Sequence, residues 1–149
     1  MLRAIAINKN IYNKPLDSPQ RQEVNIQLYL PPTDVPQYVS GCYNDSEDSF
    51  IITFNYQNTE NESELFDKDN IKFLIGISSG KPLRIEIKNI KKERVDTIKL
   101  SQIIRDDISK LIEQTIDRQQ TPRAVANLKC AEAVLKGTAD ELAQVPALC

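Results

Sequence analysis

Three side chains in this sequence have the types and spacing that metal-assisted hydrolysis requires: Asp69, Glu86 and Lys88. Glu86 and Lys88 flank Ile87 in the run LRIEIKNI, so on a strand both project from the same face. A carboxylate there can hold Mg²⁺, and a lysine beside it can orient or activate the attacking water. A second carboxylate must come from upstream, and Asp67 or Asp69 precedes the preceding strand. The same residues also have a plainer reading. Arg84, Glu86 and Lys88 alternate with Leu83, Ile85 and Ile87, as charged partners do on the solvated face of a sheet.

The chain has no histidine. That removes Ser–His and Cys–His nucleophile pairs, HExxH zinc sites and imidazole proton shuttles together. The four glycines (Gly41, Gly76, Gly80 and Gly137) are scattered, so neither a GxGxxG turn nor a P-loop can be built. Asp67-Lys68-Asp69-Asn70 opens like a calcium loop, but Lys72 and Ser78 stand where such a loop needs Gly and Glu. Cys42, Cys130 and Cys149, without histidine, make a poor zinc site. No cofactor and no metal are therefore expected. The one catalytic alternative is a Mg²⁺-dependent nuclease of the PD-(D/E)xK kind built on Asp69, Glu86 and Lys88. The Pro-Asp step of that pattern is missing, and no helical pattern precedes the first catalytic strand.

Charge is balanced overall, at −2, but uneven along the chain. Residues 45–69 hold eight Asp/Glu against Lys68 alone, and residues 81–99 hold seven Lys/Arg against three acids. Within the second stretch, Lys88, Lys91, Lys92, Arg94 and Lys99 can neutralise phosphates, which offers a nucleic-acid surface. No aromatic residue is interleaved for base stacking, and Glu86, Glu93 and Asp96 interrupt the run. A solvated mixed-charge hairpin is the simpler expectation.

These groups need elements to position them. Val24, Ile26, Leu28 and Leu30 alternate with polar residues, which predicts a strand over 23–30 ended by Pro31-Pro32. Phe50, Ile52, Phe54 and Tyr56 predict a second strand, Ile71, Phe73, Ile75 and Ile77 a third, and Leu83, Ile85 and Ile87 a fourth. Ser78–Pro82 links the last two as a hairpin. Residues 2–7 and 95–100 offer further strands. The stretches 31–49 and 57–70 read as long polar loops suited to contacts. The period then changes. Leu100, Ile104, Ile108, Leu111, Ile112 and Ile116 predict a helix capped by Ser101. Thr121-Pro122 starts another, expected to stop at Gly137, with Thr138 and Glu141 as a capping box beyond.

The expected fold is α+β: one domain over 1–149, mainly β over 1–100 and helical over 101–149. An antiparallel β-meander of about five strands carries a C-terminal helical hairpin on one face. Three widely spaced cysteines do not suggest a disulfide framework, Cys130 is read as a packing residue, and no apolar run is long enough to span a membrane. This predicts a cytoplasmic protein in a reducing compartment. The expected function is a non-catalytic protein-binding, adaptor or regulatory module. Its contacts are assigned to Arg84, Glu86, Lys88, Lys91, Lys92 and Arg94, its partner is expected to be a protein, and open sheet edges suggest a homodimer.

Overall fold

The computed structural model describes residues 3–6, 30–58, 60, 62–144 and 147–149. Among the described residues, six strands form one antiparallel sheet: β1 (Arg3–Ala6), β2 (Tyr38–Asn44), β3 (Ser49–Asn55), β4 (Ser63–Lys68), β5 (Ile71–Gly76) and β6 (Pro82–Lys88). Their order across the sheet is β1-β2-β3-β6-β5-β4. Two three-stranded meanders are thus joined where β3 pairs with β6. The connection from β3 to β4 must cross the ends of β6 and β5 to reach the far edge. Helices α1 (Thr97–Gln102), α2 (Ile108–Ile116) and α3 (Pro122–Ala143) follow, with a π-helical stretch at Ile103–Asp107 between the first two. The α+β class and the C-terminal helical region are as the sequence predicts.

The strand predicted over 23–30 lies outside the described residues except for Leu30, which is buried in the core. Two strands occupy stretches that read as loops. β2 carries Val39, Gly41 and Tyr43 toward the helices, and Gly41 keeps one core position empty of side chain. A Cβ there would lie 2.7 Å from Cζ of Phe50. β4 is almost entirely exposed, as an edge strand of charged residues is.

One apolar cluster joins the sheet to the helices. Phe50, Ile52, Phe73 and Ile85 from the sheet meet Ile104, Ile108, Leu128 and Leu135 from the helices, all fully buried. Each such side chain contributes about 1.5–3 kcal/mol through burial. The helix stripe explains the π segment. Leu100, Ile104 and Ile108 recur at steps of four, longer than the 3.6-residue turn, so a straight α-helix would rotate them progressively off the core. The wider turn, in which the Ile108 amide donates to the Ile103 carbonyl, keeps all three buried.

Several boundaries differ from those read in the sequence. Residues 97–100 are helical rather than a strand, because the Asp96 carboxylate accepts the Lys99 amide at 2.8 Å and caps the first turn. Ser101 is therefore inside the helix, where its hydroxyl donates to Asp140. The residues around Lys91–Arg94 form a turn entering that helix, not one end of a hairpin. Thr121 does cap α3, but Gly137 does not stop it. A side chain at Gly137 would meet nothing, so this glycine lies on an unpacked face. Thr138 donates to the Val134 carbonyl at 2.8 Å instead of capping a new turn.

Candidate binding face

The strand register sorts the predicted residues cleanly. On the sheet face away from the helices, Asp67 of β4 lies opposite Lys72 of β5, and Lys72 lies opposite Glu86 of β6. Arg84 and Lys88 flank Glu86 along β6. Opposite charges therefore alternate across three strands. Arg84 Nη2 donates to Glu86 Oε1 at 2.7 Å. Lys88 sits diagonally from Lys72, whose nearby ammonium pushes Lys88 below the usual lysine value. Leu65 and Leu74 pair beside this row, and Leu65 is 54% exposed.

Glu86 and Lys88 thus share a face, as their spacing requires. Asp69 is not in that row. It occupies the tight turn between β4 and β5 with a left-handed φ of 54°. The carboxylate closest in register to the Lys72–Glu86 pair is Asp67. Among the described residues, no three His, Cys, Asp or Glu side chains converge to hold a metal ion.

The basic residues beyond β6 do not form one patch. Lys88 belongs to the open face, whereas Lys99 borders a cleft on the helical side. Lys91 is held by Asp45 at 3.1 Å and lies over the Tyr43 ring at 4.9 Å. Lys92 and Arg94 are exposed on the turn. That turn is fastened by Asp48, which accepts the amides of Lys91 (2.8 Å) and Lys92 (3.1 Å) and the Tyr43 hydroxyl (2.7 Å). Those donors hold the Asp48 carboxyl below its usual range, the Lys91 amide most, and Asp48 in return pushes the Tyr43 phenol up to about 12.

Two features have no strong sequence signal. The first is the cleft, about 330 Å³, between the β4–β5 turn and the π segment. Ile71, Ile87 and Ile103 line its apolar part, and Lys68, Lys99 and Lys110 lie on its border. Its residues are scattered between 68 and 111, so no local pattern announces it. The second is a polar cluster at the opposite end of the sheet. Arg123 grips the buried Asp34 with two hydrogen bonds of 2.8 Å, and Asn127 bridges Asp34 and the Ser79 carbonyl. Lys81, also buried, lies 3.7 Å from Glu60 and 4.8 Å from the Tyr56 ring centre. Glu60 belongs to the β3–β4 crossing. Its carboxylate fills the space where a side chain on Gly76 would be, 2.7 Å from that Cβ position. The cluster ties the crossing and the β5–β6 turn to the start of α3.

The cysteines are a correction. Cys42 and Cys149 form a disulfide, fastening residues 147–149 along β2, where the Tyr43 amide donates to the Ala147 carbonyl and the Cys149 amide to the Tyr43 carbonyl. The separation of 107 residues is what hid the pair from sequence reading. The expectation of a reducing compartment loses its cysteine argument, which rested on unpaired thiols. Cys130 is buried in the core as expected, and burial pushes its thiol up to about 12, which disfavours the thiolate.

An antiparallel sheet backed on one face by the C-terminal helices, with charged side chains on the β4–β6 part of its other face, defines the class as an α+β domain. No known family model matches the chain, and neither a curated protein nor a solved structure gives a significant match. No described helix is long and apolar enough to cross a membrane.

Proposed function

We propose that this chain is a non-catalytic protein-binding module, and that its contact surface is the charged half of the open sheet face. The observation that carries this reading is the alternation Asp67–Lys72–Glu86, with Arg84 and Lys88 next to it, bordering the Leu65–Leu74 pair. An apolar patch bordered by polar and charged groups is the usual anatomy of a protein contact. Mixed charge suits a protein surface of complementary pattern better than a uniformly anionic backbone, which would favour lysine and arginine alone. The nuclease reading fits less well. Lys72 and Lys88 put two ammonium groups beside Glu86, where a Mg²⁺ site needs further carboxylates. Regulatory or adaptor roles both follow from such a surface, and the pathway and compartment are left to its partner.

The test compares tagged wild-type chain with an Arg84→Glu/Lys88→Glu variant in pull-downs from the native host, with and without nuclease treatment. A stoichiometric protein retained by wild type and lost by the variant supports the reading. Nucleic acid as the sole co-purifying species, or Mg²⁺-dependent cleavage abolished by Glu86→Ala, overturns it.

A further inference from the structure

β4 is one edge of the sheet, and nothing in the described chain pairs with its outer side. Ser63, Glu64, Leu65, Asp67 and Lys68 are exposed, and only Phe66 is half-buried. An edge this long, with Leu65 more than half exposed, is normally blunted or covered. Which backbone groups point outward follows from the inner ladder. The Ile77 amide donates to the Glu62 carbonyl at 3.2 Å, so Glu62 is a hydrogen-bonded position toward β5. Hydrogen-bonded positions alternate in an antiparallel pair. Glu64, Phe66 and Lys68 therefore bond inward, while Ser63, Leu65 and Asp67 present their amides and carbonyls to solvent.

We infer that β4 pairs antiparallel with β4 of a second copy of this chain, with Phe66 opposite Phe66 on a twofold axis. The sequence SELFDK is self-complementary in that register. Glu64 of each copy falls opposite Lys68 of the other, in two symmetric ion pairs. Leu65 falls opposite Asp67 of the other copy, so their outward backbone groups form the new ladder. The Phe66 and Glu64–Lys68 pairs occupy the non-hydrogen-bonded positions, where opposed side chains come closest. Among the described residues the Lys68 ammonium bonds the neutral amide of Gln114, at 3.1 Å, and forms no ion pair there, which leaves its charge to pair across the axis. Sliding the register by one pair either way is worse. One slide sets Asp67 against Asp67. The other sets Leu65 against Leu65 and Glu64 against Phe66, and gives up the Glu64–Lys68 pairs. The assembly is isologous and closes at two copies, because each chain uses the same edge. It uses Leu65 and Asp67 at the edge of the proposed contact surface but leaves the β6 row of Arg84, Glu86 and Lys88 outside the new ladder, and Glu64 and Lys68, which its test changes, lie on the other side of β4 from that surface.

Sedimentation velocity on the full chain at low salt tests this directly. The expected result is a dimer that weakens at least about tenfold in Glu64→Lys and in Lys68→Glu, where like charges meet, and is restored in the double charge swap. The register is read separately by mild oxidation. The native cysteines are either paired (Cys42, Cys149) or buried (Cys130), so a new surface thiol reports alone. Phe66→Cys should cross-link two chains and Leu65→Cys should not. A monomeric wild type, or a dimer indifferent to both single swaps, overturns the inference. Cross-linking through Leu65→Cys in preference to Phe66→Cys overturns the register. Circular dichroism on each variant shows that the fold is kept, and the exposed positions of Glu64 and Lys68 make that the expected outcome.

Discussion

Arg123 and Asp34 stand 89 residues apart and meet as a two-pronged ion pair, Nε to Oδ2 and Nη2 to Oδ1, each at 2.8 Å. The Asp34 side chain is fully buried, while Arg123 is 54% exposed. The fork matches both carboxylate oxygens at once, which a lysine cannot do. Removing Arg123 leaves a buried carboxylate supported by Asn127 alone among the described side chains. Arg123→Ala should cost about 3 kcal/mol in urea unfolding, the low end for stranding a buried charge, because solvent reaches the guanidinium side. Arg123→Lys should fall between. A change below about 0.5 kcal/mol for the alanine variant would mean that the pair does not anchor α3.

Acid should unfold the chain through three carboxylates. Asp34 is held below its usual range by Arg123, Asp48 by the Lys91 amide and Tyr43, and Asp140 by Ser101 and Arg105. A carboxyl whose folded value is depressed stabilises the fold above its unfolded value, about 4, and that stability is lost as pH falls through the folded value. Thermal midpoints should be flat near neutrality and drop below about pH 4. Asp48→Asn should lower the midpoint at pH 7 and flatten the acid limb. An unchanged acid limb in that variant would remove Asp48 from the account.

Opening the Cys42–Cys149 bond should loosen the whole fold, not only its tail. A cross-link over 107 residues removes roughly 4–5 kcal/mol of unfolded-chain entropy in the loop-closure picture. Reducing agent, or Cys149→Ser, should shift the denaturation midpoint down and steepen the slope, because the unlinked unfolded chain exposes more surface. If reduced and oxidised protein melt together, residues 147–149 are held by their hydrogen bonds to Tyr43 alone.

Gly80 should tolerate no side chain. Its φ of +68° favours glycine, and an added Cβ would lie 2.6 Å from Cβ of Ala124 and 2.8 Å from its Cα. Gly80→Ala should destabilise by about 1–3 kcal/mol, measured by urea unfolding. Gly137→Ala, in the middle of α3 with open space around it, should do the opposite and stabilise by about 0.5–1 kcal/mol.

The elements legible in the sequence are those whose apolar spacing is undisturbed. Phe50, Ile52 and Phe54 alternate, and so do Ile71, Phe73 and Ile75, because one face of each strand meets the helices. β2 escapes this reading because its core face is Val39, Gly41 and Tyr43, with the middle position reduced to glycine under Phe50. β4 escapes it because an edge strand half off the core has no apolar face to show. The helix start was hidden by Val95 and Ile98, which suggest a strand, although Asp96 decides the matter by capping. Of the candidate face, the shared side of Arg84, Glu86 and Lys88 follows from period two alone. Their companions Lys72 and Asp67 stand 14 and 19 residues before Glu86, and only pairing registers bring them alongside. The Asp34–Arg123 pair and the disulfide are long-range closures for which one sequence carries no local mark.

The strand order has a consequence for synthesis. β6 is the last strand to leave the ribosome, yet it sits between β3 and β5 in the middle of the sheet. Until it arrives, β3 presents Phe50, Ile52 and Phe54 beside an unpaired inner edge, and β5 presents Phe73 and Ile75 beside another. Local hairpins can form at once, but joining the two meanders must wait for a single late segment and then close long loops. Chains truncated before residue 82 should therefore be captured by chaperones or aggregate, since both halves offer naked strand edges. The Asp34–Arg123 closure comes later still, so the native end of the sheet is sealed only when α3 has been made.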